Sequence, residues 1–448
     1  MGPFDGLIAS STCLNRVKLL TSAGLEKLLV GEISGISSDC NILSGGPCYV
    51  DARASLYHVW KLMLESRLCE QLWMHVCDPF PVRHSRTFLR TLNNAEWKGF
   101  MPFSANLPPP YVRVNCKDST LYHTGMIKKM VHQVIKGHCH KSVQLQGDSL
   151  PEIMQRRGHL PVCPTLMVNI DNDMCEVLAN ASGDIGERPW TTASALDARI
   201  SPAAVSAIAN KIDLIQRIRN NSITAIWDPL CHNGSLLLEL YSIFRGHRLR
   251  AVDHVYPMSN FPLNVRNVYE DAYESCAPNG YSGAPLKLLG TDVFDKHVAD
   301  AKACLGRYLN SPIHSHKRKQ NKFTSSEGGE HAESDPDAEN SAPSTESADG
   351  VTLTFSPQPM EEVDVSCGNT MVLTNLYYGD KGRRKEFLEA HRRFEEVLMR
   401  SPRALLQNVY VVATEGLRTR SRFSWEPELH FNNGGVLVSL LKLRGVKT

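Results

Sequence analysis

At 448 residues the chain is too long for one ordinary hydrophobic core, and two to three domains is the expectation. Hydrophobic residues at 42% and charged residues at 21% are globular proportions, which excludes a wholly disordered or fibrous chain. A net charge of +2 excludes a global basic field, so any nucleic-acid affinity must come from local patches.

Thirteen cysteines form no CxxC pair, and their odd number suits a reduced, intracellular chain, most simply a cytoplasmic one. The opening MGPFDGLIASSTCLNRVKLL lacks the apolar core of a signal peptide. No apolar run reaches the roughly 18 residues that cross a bilayer, so no membrane partner is expected.

Residues 19–33, LLTSAGLEKLLVGEI, read as a turn and then an amphipathic helix, with Leu25, Leu28, Leu29 and Ile33 at helical spacing. Residues 55–76 read as a second, longer helix with Leu56, Val59, Trp60, Met63 and Leu64 on one face. YVRVNC at 111–116 alternates like a half-buried strand. A helix with Ile127, Met130, Val131 and Val134 as its stripe follows. LMVNI and CEVLA, split by Asp171-Asn172-Asp173, read as a hairpin, because Asn and Asp tolerate the turn geometry. The front half is thus α+β.

From about residue 200 the rhythm changes. A helix over Ala203–Ile218 leads into the strand ITAIWDPL, the loop CHNGS and the helix LLLELYSIF. LKLLGTDV and HVADAKACLGRYL repeat the strand–helix step, as do NTMVLTNL and KEFLEAHRRFEEVLM, before the strands NVYVVATE and GVLVSLLKL. Such alternation predicts βαβ units and a mostly parallel sheet, the α/β class. Residues 311–350 interrupt it with a basic cluster followed by Ser, Glu, Asp, Gly and Pro, and they predict a disordered acidic insertion.

The strongest chemical signal is Ile223–Leu240, a strand ending in Asp228-Pro229, a small-residue loop and a helix start. In open α/β sheets ligands sit at the carboxyl ends of strands and against helix N-termini. Gly234 would let backbone approach such a ligand; an ordinary βα turn has the same pattern. Asp292 ends another strand, where an acidic residue suits a ribose diol or simply caps the next helix. Asn375 follows MVLT and precedes Tyr377 and Tyr378, an amide acceptor beside aromatic rings that can stack on a base.

Together these segments resemble the THUMP-domain RNA methyltransferases, in particular the large-subunit rRNA guanine-N2 methyltransferases. AGLEKLLVGEI looks like that family's opening helix, and LMLESRLCEQLWMHV like its helix containing SR. NCKDSTLYHTGMIKKMV is similar to the THUMP segment, and LANASGDIGERPW to the segment in which Ser182, Gly183 and Arg188 are kept. DPLCHNGSLLLE is similar to the cofactor loop DPxCGSGT, TNLYYG sits where the family has TNPPYG, and HFNNGGVLVSLLKL resembles the closing strand.

The resemblance implies a ferredoxin-like/THUMP RNA-binding module over 1–190 and a Rossmann-like domain over 191–448 that uses S-adenosylmethionine. It implies that Asp228, Pro229, Cys231, His232, Gly234 and Ser235 line the cofactor's methionine end and that Asp292 takes its ribose. It places the target amine at Asn375 and the following Leu376, Tyr377 and Tyr378, with Tyr378 stacking on the base. Lys117, His123, Lys128, Lys129 and Arg188 fall at the RNA, and Arg156 and Arg157 extend the basic patch. Structured RNA is the implied partner, rRNA before tRNA.

Three departures bear on activity. His232 replaces the first loop glycine, Asn233 stands where a small hydroxyl is usual, and Leu376-Tyr377 replace two prolines that fix a rigid turn. A second reading is therefore a pseudo-methyltransferase that binds RNA or a protein, and a third is a tRNA-directed enzyme. Gly137-His138-Cys139-His140 lacks a second half at ligand spacing and reads as a solvated loop, so no metal is expected.

Overall fold

The structure, a computed structural model, describes residues 14–101, 109–146, 164–191, 200–251, 254–276, 285–311, 313, 345–348, 350–364, 369–376, 378 and 384–447, with backbone alone at 139–146, 348 and 384. The chain divides into two compact units, one of residues 1–21, 29–185 and 253–277, the other of 22–28, 186–252 and 278–448. These units do not coincide with a single cut at residue 190.

The first unit carries strands β1 (Asn15–Leu20), β2 (Asn41–Gly46), β3 (Tyr49–Ala54), β4 (Gln71–His75), β5 (Phe80–Pro81), β6 (Val112–Lys117), β7 (Leu166–Asp171) and β8 (Met174–Asn180). They form one sheet in the order β2-β3-β1-β4-β8-β7-β6, with β5 beside β8. Only the β6–β7 pair is parallel among the described strands of this sheet. Asn172 and Asp173 join β7 to β8 at φ 50° and 62°, the left-handed pair that a two-residue hairpin turn requires.

Its helices are α1 (Glu26–Ile36), α2 (Leu56–Glu65), α3 (Ser85–Asn93) and α4 (Thr124–Gln146). Ile127, Met130, Val131 and Val134 are all buried along α4, as their spacing predicts. The segment Gly137–His140 belongs to this helix and not to a loop, because the helical register runs on unbroken to Gln146.

The helix expected over 55–76 ends instead at Glu65. The Glu32 carboxylate accepts hydrogen bonds from the Ser66 hydroxyl and from the Arg67 and Leu68 N–H groups, at 2.9 and 3.2 Å for the latter two. Those three bonds satisfy groups that leave the helix, and the chain enters β4 at the middle of the sheet. Burial pushes the Glu32 carboxyl up, against these bonds. Trp60 of α2 is fully buried edge-on to Tyr256 and Tyr269, and its Nε1–H donates to Asn264 at 3.2 Å. Residues 253–277, including the helix Arg266–Ser275, thereby complete the first unit.

The second unit carries β9 (Ala225–Asp228), β10 (Leu286–Thr291), β11 (Thr345–Ala348), β12 (Val351–Ser356), β13 (Thr370–Asn375), β14 (Val409–Ala413), β15 (Phe423–Asn433) and β16 (Val436–Val446). Their order is β11-β12-β10-β9-β13-β14-β16-β15. The five strands from β12 to β14 run parallel, and β11, β16 and β15 join antiparallel. Helices α5 (Pro202–Lys211), α6 (Leu214–Arg219), α7 (Ser235–Phe244), α8 (Asp295–Leu309) and α9 (Arg384–Arg400) belong to this unit. The single helix expected over 203–218 is broken between α5 and α6 by Asp213, at φ 50°. The expected disordered stretch 311–350 is also corrected at its end: Thr345–Ala348 pairs with β12, because TESA and VTLTFS close a hairpin through Gly350 at φ 79°. Residues 314–344 lie outside the described residues.

Near the start of this unit, backbone passes backbone closely. The Asn432 N–H donates to the Ala23 carbonyl at 2.9 Å. A Cβ on Gly24, at φ 94°, would lie 2.1 Å from the His430 carbonyl oxygen. The glycine of the AGLE segment is therefore required by this approach.

Candidate functional site

The order of strands in the second unit creates a switch point. From β9 the chain moves to β10 and β12 on one side, then returns to β13 and β14 on the other. Loops after β9 and β13 thus diverge, and in open α/β sheets ligands bind in the resulting crevice. The loop 229–234, Asp292 and Asn375 all lie at the carboxyl ends of these three neighbouring strands.

Asp228 closes β9 and is 1% exposed. The Thr374 hydroxyl of β13 donates to its Oδ1 at 2.6 Å, and the Leu230 N–H to the same oxygen at 3.2 Å. Burial pushes its pKa up to about 7; the two hydrogen bonds oppose the rise and the Asp292 charge adds to it. The neighbouring Trp227 Nε1–H donates to Thr291 at 3.0 Å, tying β9 to β10.

The loop then turns tightly. The Cys231 N–H donates to the Thr291 carbonyl at 3.0 Å and the Gly234 N–H to Cys231 at 2.7 Å. His232 sits at φ 50°, a left-handed conformation suited to the glycine of the resembled motif. The Ser235 N–H donates to the Asn233 side chain at 3.3 Å, so Asn233 supplies an acceptor just before the Gly234 cap of α7. Gly234 has φ 73°, and a Cβ there would meet the Phe355 ring at 2.6 Å. The same ring lies against Gly290, so Phe355 of β12 fills the space beside both glycines. Pro229 and Cys231 are buried within the loop, and burial raises the Cys231 thiol well above its ordinary range.

His232 joins the three strand ends. Its N–H donates to Asp292 Oδ2 at 3.2 Å, and its Nε2 meets the Asn375 carbonyl at 3.3 Å. Asp292 is fully buried, accepts the Phe294 N–H at 3.0 Å and lies 3.1 Å from His297 Nδ1. Burial pushes its carboxyl up, but the hydrogen bond to His297, the charges of His232 and His297 and the Phe294 N–H outweigh it and hold the group below its usual value.

At the end of β13, Asn375 is 3% exposed. The buried Leu376 donates its N–H to the Val412 carbonyl at 3.0 Å, so the ladder to β14 runs one residue further than a proline would allow. Tyr378 is half-buried, and its hydroxyl accepts the Asn433 side-chain N–H at 2.8 Å. Asn433 also accepts the Ser201 N–H at 2.9 Å, at the cap of α5. Burial pushes the Tyr378 phenol up to about 12, against hydrogen bonds to Asn433 and Asn375. Tyr377 lies outside the described residues.

Of the expected RNA contacts, Lys117 ends β6 and is exposed, while His123, Lys128 and Lys129 stand at or near the start of α4; His123 and Lys129 are exposed and Lys128 partly so. Arg156 and Arg157 lie outside the described residues. Arg188 is a correction. Its side chain is 0% exposed and grips the Glu239 carboxylate at 2.9 Å through both Nε and Nη2, with Ser206 donating to Glu239 at 3.1 Å. A guanidinium satisfied in this way, inside the fold, cannot meet a phosphate. His297 and Phe355 are site residues that no motif in the sequence singles out, and Thr374 stands in the TNLYYG segment without a role assigned to it. Thr374 adjoins the motif residue Asn375, and His297 lies in the first turn of the helix after Asp292.

No helix among the described residues is long and apolar enough to cross a membrane. No family model matches the chain. A stretch of 73 residues is 36% identical to an uncharacterized protein of Dictyostelium discoideum; it makes up 16% of this chain and spans only 13% of that protein. Solved structures match far more of the chain. A predicted N6-adenine-specific DNA methylase from Listeria monocytogenes superposes with TM-score 0.70 at 14% identity over 97% of both chains. A possible methylase from Clostridium difficile gives 0.69 at 13% identity, over 97% of this chain and 99% of that one. SMU.472, which carries the name of a putative methyltransferase and was solved in complex with SAH, gives 0.66 at 15% identity over 97% and 99%. The chain therefore has the mixed α/β fold of these methylase structures over nearly its whole length.

Proposed function

We propose that this chain is built as an S-adenosylmethionine-dependent RNA methyltransferase acting on the exocyclic amine of guanine in structured RNA, rRNA before tRNA. One observation carries this reading: Asp228, Asp292 and Asn375 converge at the carboxyl ends of three adjacent parallel strands, at the switch point of the sheet. In this reading the loop 229–234 and Ser235 border the methionine end of the cofactor, and Asp292 accepts its ribose hydroxyls. The sulfonium is already activated, so the chain's task is to hold the target amine in line with the methyl group. The Asn375 amide oxygen and backbone carbonyl are the acceptors for that amine. Lys117, His123, Lys128 and Lys129 would meet RNA phosphates through the first unit.

The second reading, a pseudo-methyltransferase that binds RNA, is favoured by His232. Its backbone N–H bonds Asp292, and its imidazole engages the very carbonyl that the amine would need. Phe355 further fills the space beside Gly234 and Gly290. Two measurements separate the readings. Calorimetry with SAH on the full chain gives the cofactor affinity, and transfer of labelled methyl groups to total RNA gives the activity. An enzyme shows micromolar SAH affinity and labelling that Asn375→Ala abolishes without loss of SAH binding. A pseudoenzyme shows neither, and His232→Gly then raises SAH affinity.

A further inference from the structure

Two imidazoles and a carboxylate meet beside the loop in a way that methyl transfer does not use. His232, Asp292 and His297 each offer one ligand atom, and the three atoms lie within 4.8 Å of one another. His232 and Asp292 are buried, and His297 is partly so. We propose that these three residues form a binding site for a divalent transition metal ion of the zinc type, with a fourth coordination position open. The proposal goes beyond the methyltransferase reading and does not depend on it.

The donor set fits such an ion. Two neutral imidazoles and one carboxylate are one of the three-ligand sets found in open protein zinc sites, where water takes the fourth position. Tetrahedral bonds of about 2.0–2.1 Å separate ligand atoms by about 3.3 Å. His297 Nδ1 and Asp292 Oδ2 already stand 3.1 Å apart, so the ion would replace the proton they share with only a small opening. Asp292 is also held as a ligand should be, by the Phe294 N–H on its other oxygen and the His232 N–H on the same one. The positions come from three different places: the β9 loop, the end of β10 and the first turn of α8. A rigid frame therefore sets their spacing.

The first unit supplies a contrast. Asp51, His75 and Glu176 also bring three ligand atoms within 4.8 Å. There Lys18 Nζ lies 2.7 Å from Glu176 and 3.8 Å from Asp51, and Arg16 lies 3.0 Å from Asp51. Two cations already neutralise that cluster. Around Asp292 no lysine or arginine ion pair occurs among the described residues, so no side-chain cation of that kind takes the place of the ion there.

The test uses the full chain, stripped with chelator and titrated with Zn2+ in calorimetry, and with Co2+ for its ligand-field absorption. The expected result is one ion per chain at micromolar affinity or better, a tetrahedral-type Co2+ spectrum, and a rise in melting temperature with Zn2+. His297→Ala and His232→Gly should each weaken Zn2+ at least a hundredfold; the second puts at position 232 the residue its left-handed backbone prefers, which protects the fold. Failure of the folded parent to bind Zn2+, or binding that both variants leave unchanged, overturns the proposal. Because these readings involve neither SAH nor RNA, an absence of methyl transfer would leave them untouched. If both ligands bind, SAH and Zn2+ should compete, since each needs Asp292.

Discussion

Asp228 gives the sharpest quantitative test. Asp228→Asn keeps the shape of the side chain and the oxygen that accepts both the Thr374 hydroxyl and the Leu230 N–H. It removes the titration and turns the second oxygen into an amide donor, an effect that does not change with pH. In the folded chain the group's pKa is about 7, against 3.8 for the ordinary carboxyl, chiefly because the site is buried. Folding therefore takes up a proton between those values. Well below pH 3.8 both states are protonated, so the difference between parent and variant stops changing with pH. From about pH 4 to about pH 7 the unfolded carboxyl is ionised while the folded one keeps its proton, so the parent loses stability relative to the variant across that window and the difference levels off above it. A rise from 3.8 to about 7 corresponds to about 4 kcal/mol, fully expressed above neutral pH. Urea unfolding of both proteins across that range measures the difference directly. Parallel curves, or a parent that gains on the variant as pH rises, would refute the reasoning.

Three further outcomes follow from other parts of the molecule. Arg188→Ala should cost about 3–5 kcal/mol by leaving Glu239 buried without its partner; adding Glu239→Leu should restore most of that in denaturation, and RNA affinity should be unmoved throughout. Gly24→Ala should lower stability by about 2 kcal/mol or more in thermal unfolding, since its Cβ meets the His430 carbonyl and its φ is positive. Lys128→Ala with Lys129→Ala should weaken RNA binding and flatten the dependence of log affinity on log salt by about one for each phosphate no longer neutralised.

The parts of the fold that are legible in the sequence share a cause. ITAIWDPL, its loop and LLLELYSIF announce themselves because a short apolar run, a turn and a longer apolar run differ in length and punctuation. The Asp171–Asp173 hairpin is legible because its turn residues are specialised. β2 is not, since NILSGG is an edge strand with little buried surface and no alternation. β4 reads as helix because LWMH is buried along the strand and its apolar run carries no period of two; the boundary depends on Glu32, more than thirty residues earlier. Arg188 misleads for a similar reason. It lies in a polar loop, and the sign of its burial is Glu239, the single charge in an otherwise apolar helix. The loop 229–234 and Asn375 stand out in the sequence, but His297 carries no pattern until Asp292 faces it.

The closing of Trp60 by Tyr256, Asn264 and Tyr269 has a consequence for how the chain is made. Synthesis runs from the N-terminus, and domains generally fold as they emerge. Here the first unit lacks its last helix until residue 275 has left the ribosome. By then β9 and α7 have emerged, while β10 and every later strand of their sheet are still to come. For that interval the nascent chain holds an uncapped indole in one unit and a single unpaired parallel strand in the other. A chaperone that covers exposed aromatic surface would find its substrate in that window, and a fragment ending at residue 190 would carry the same exposed face permanently.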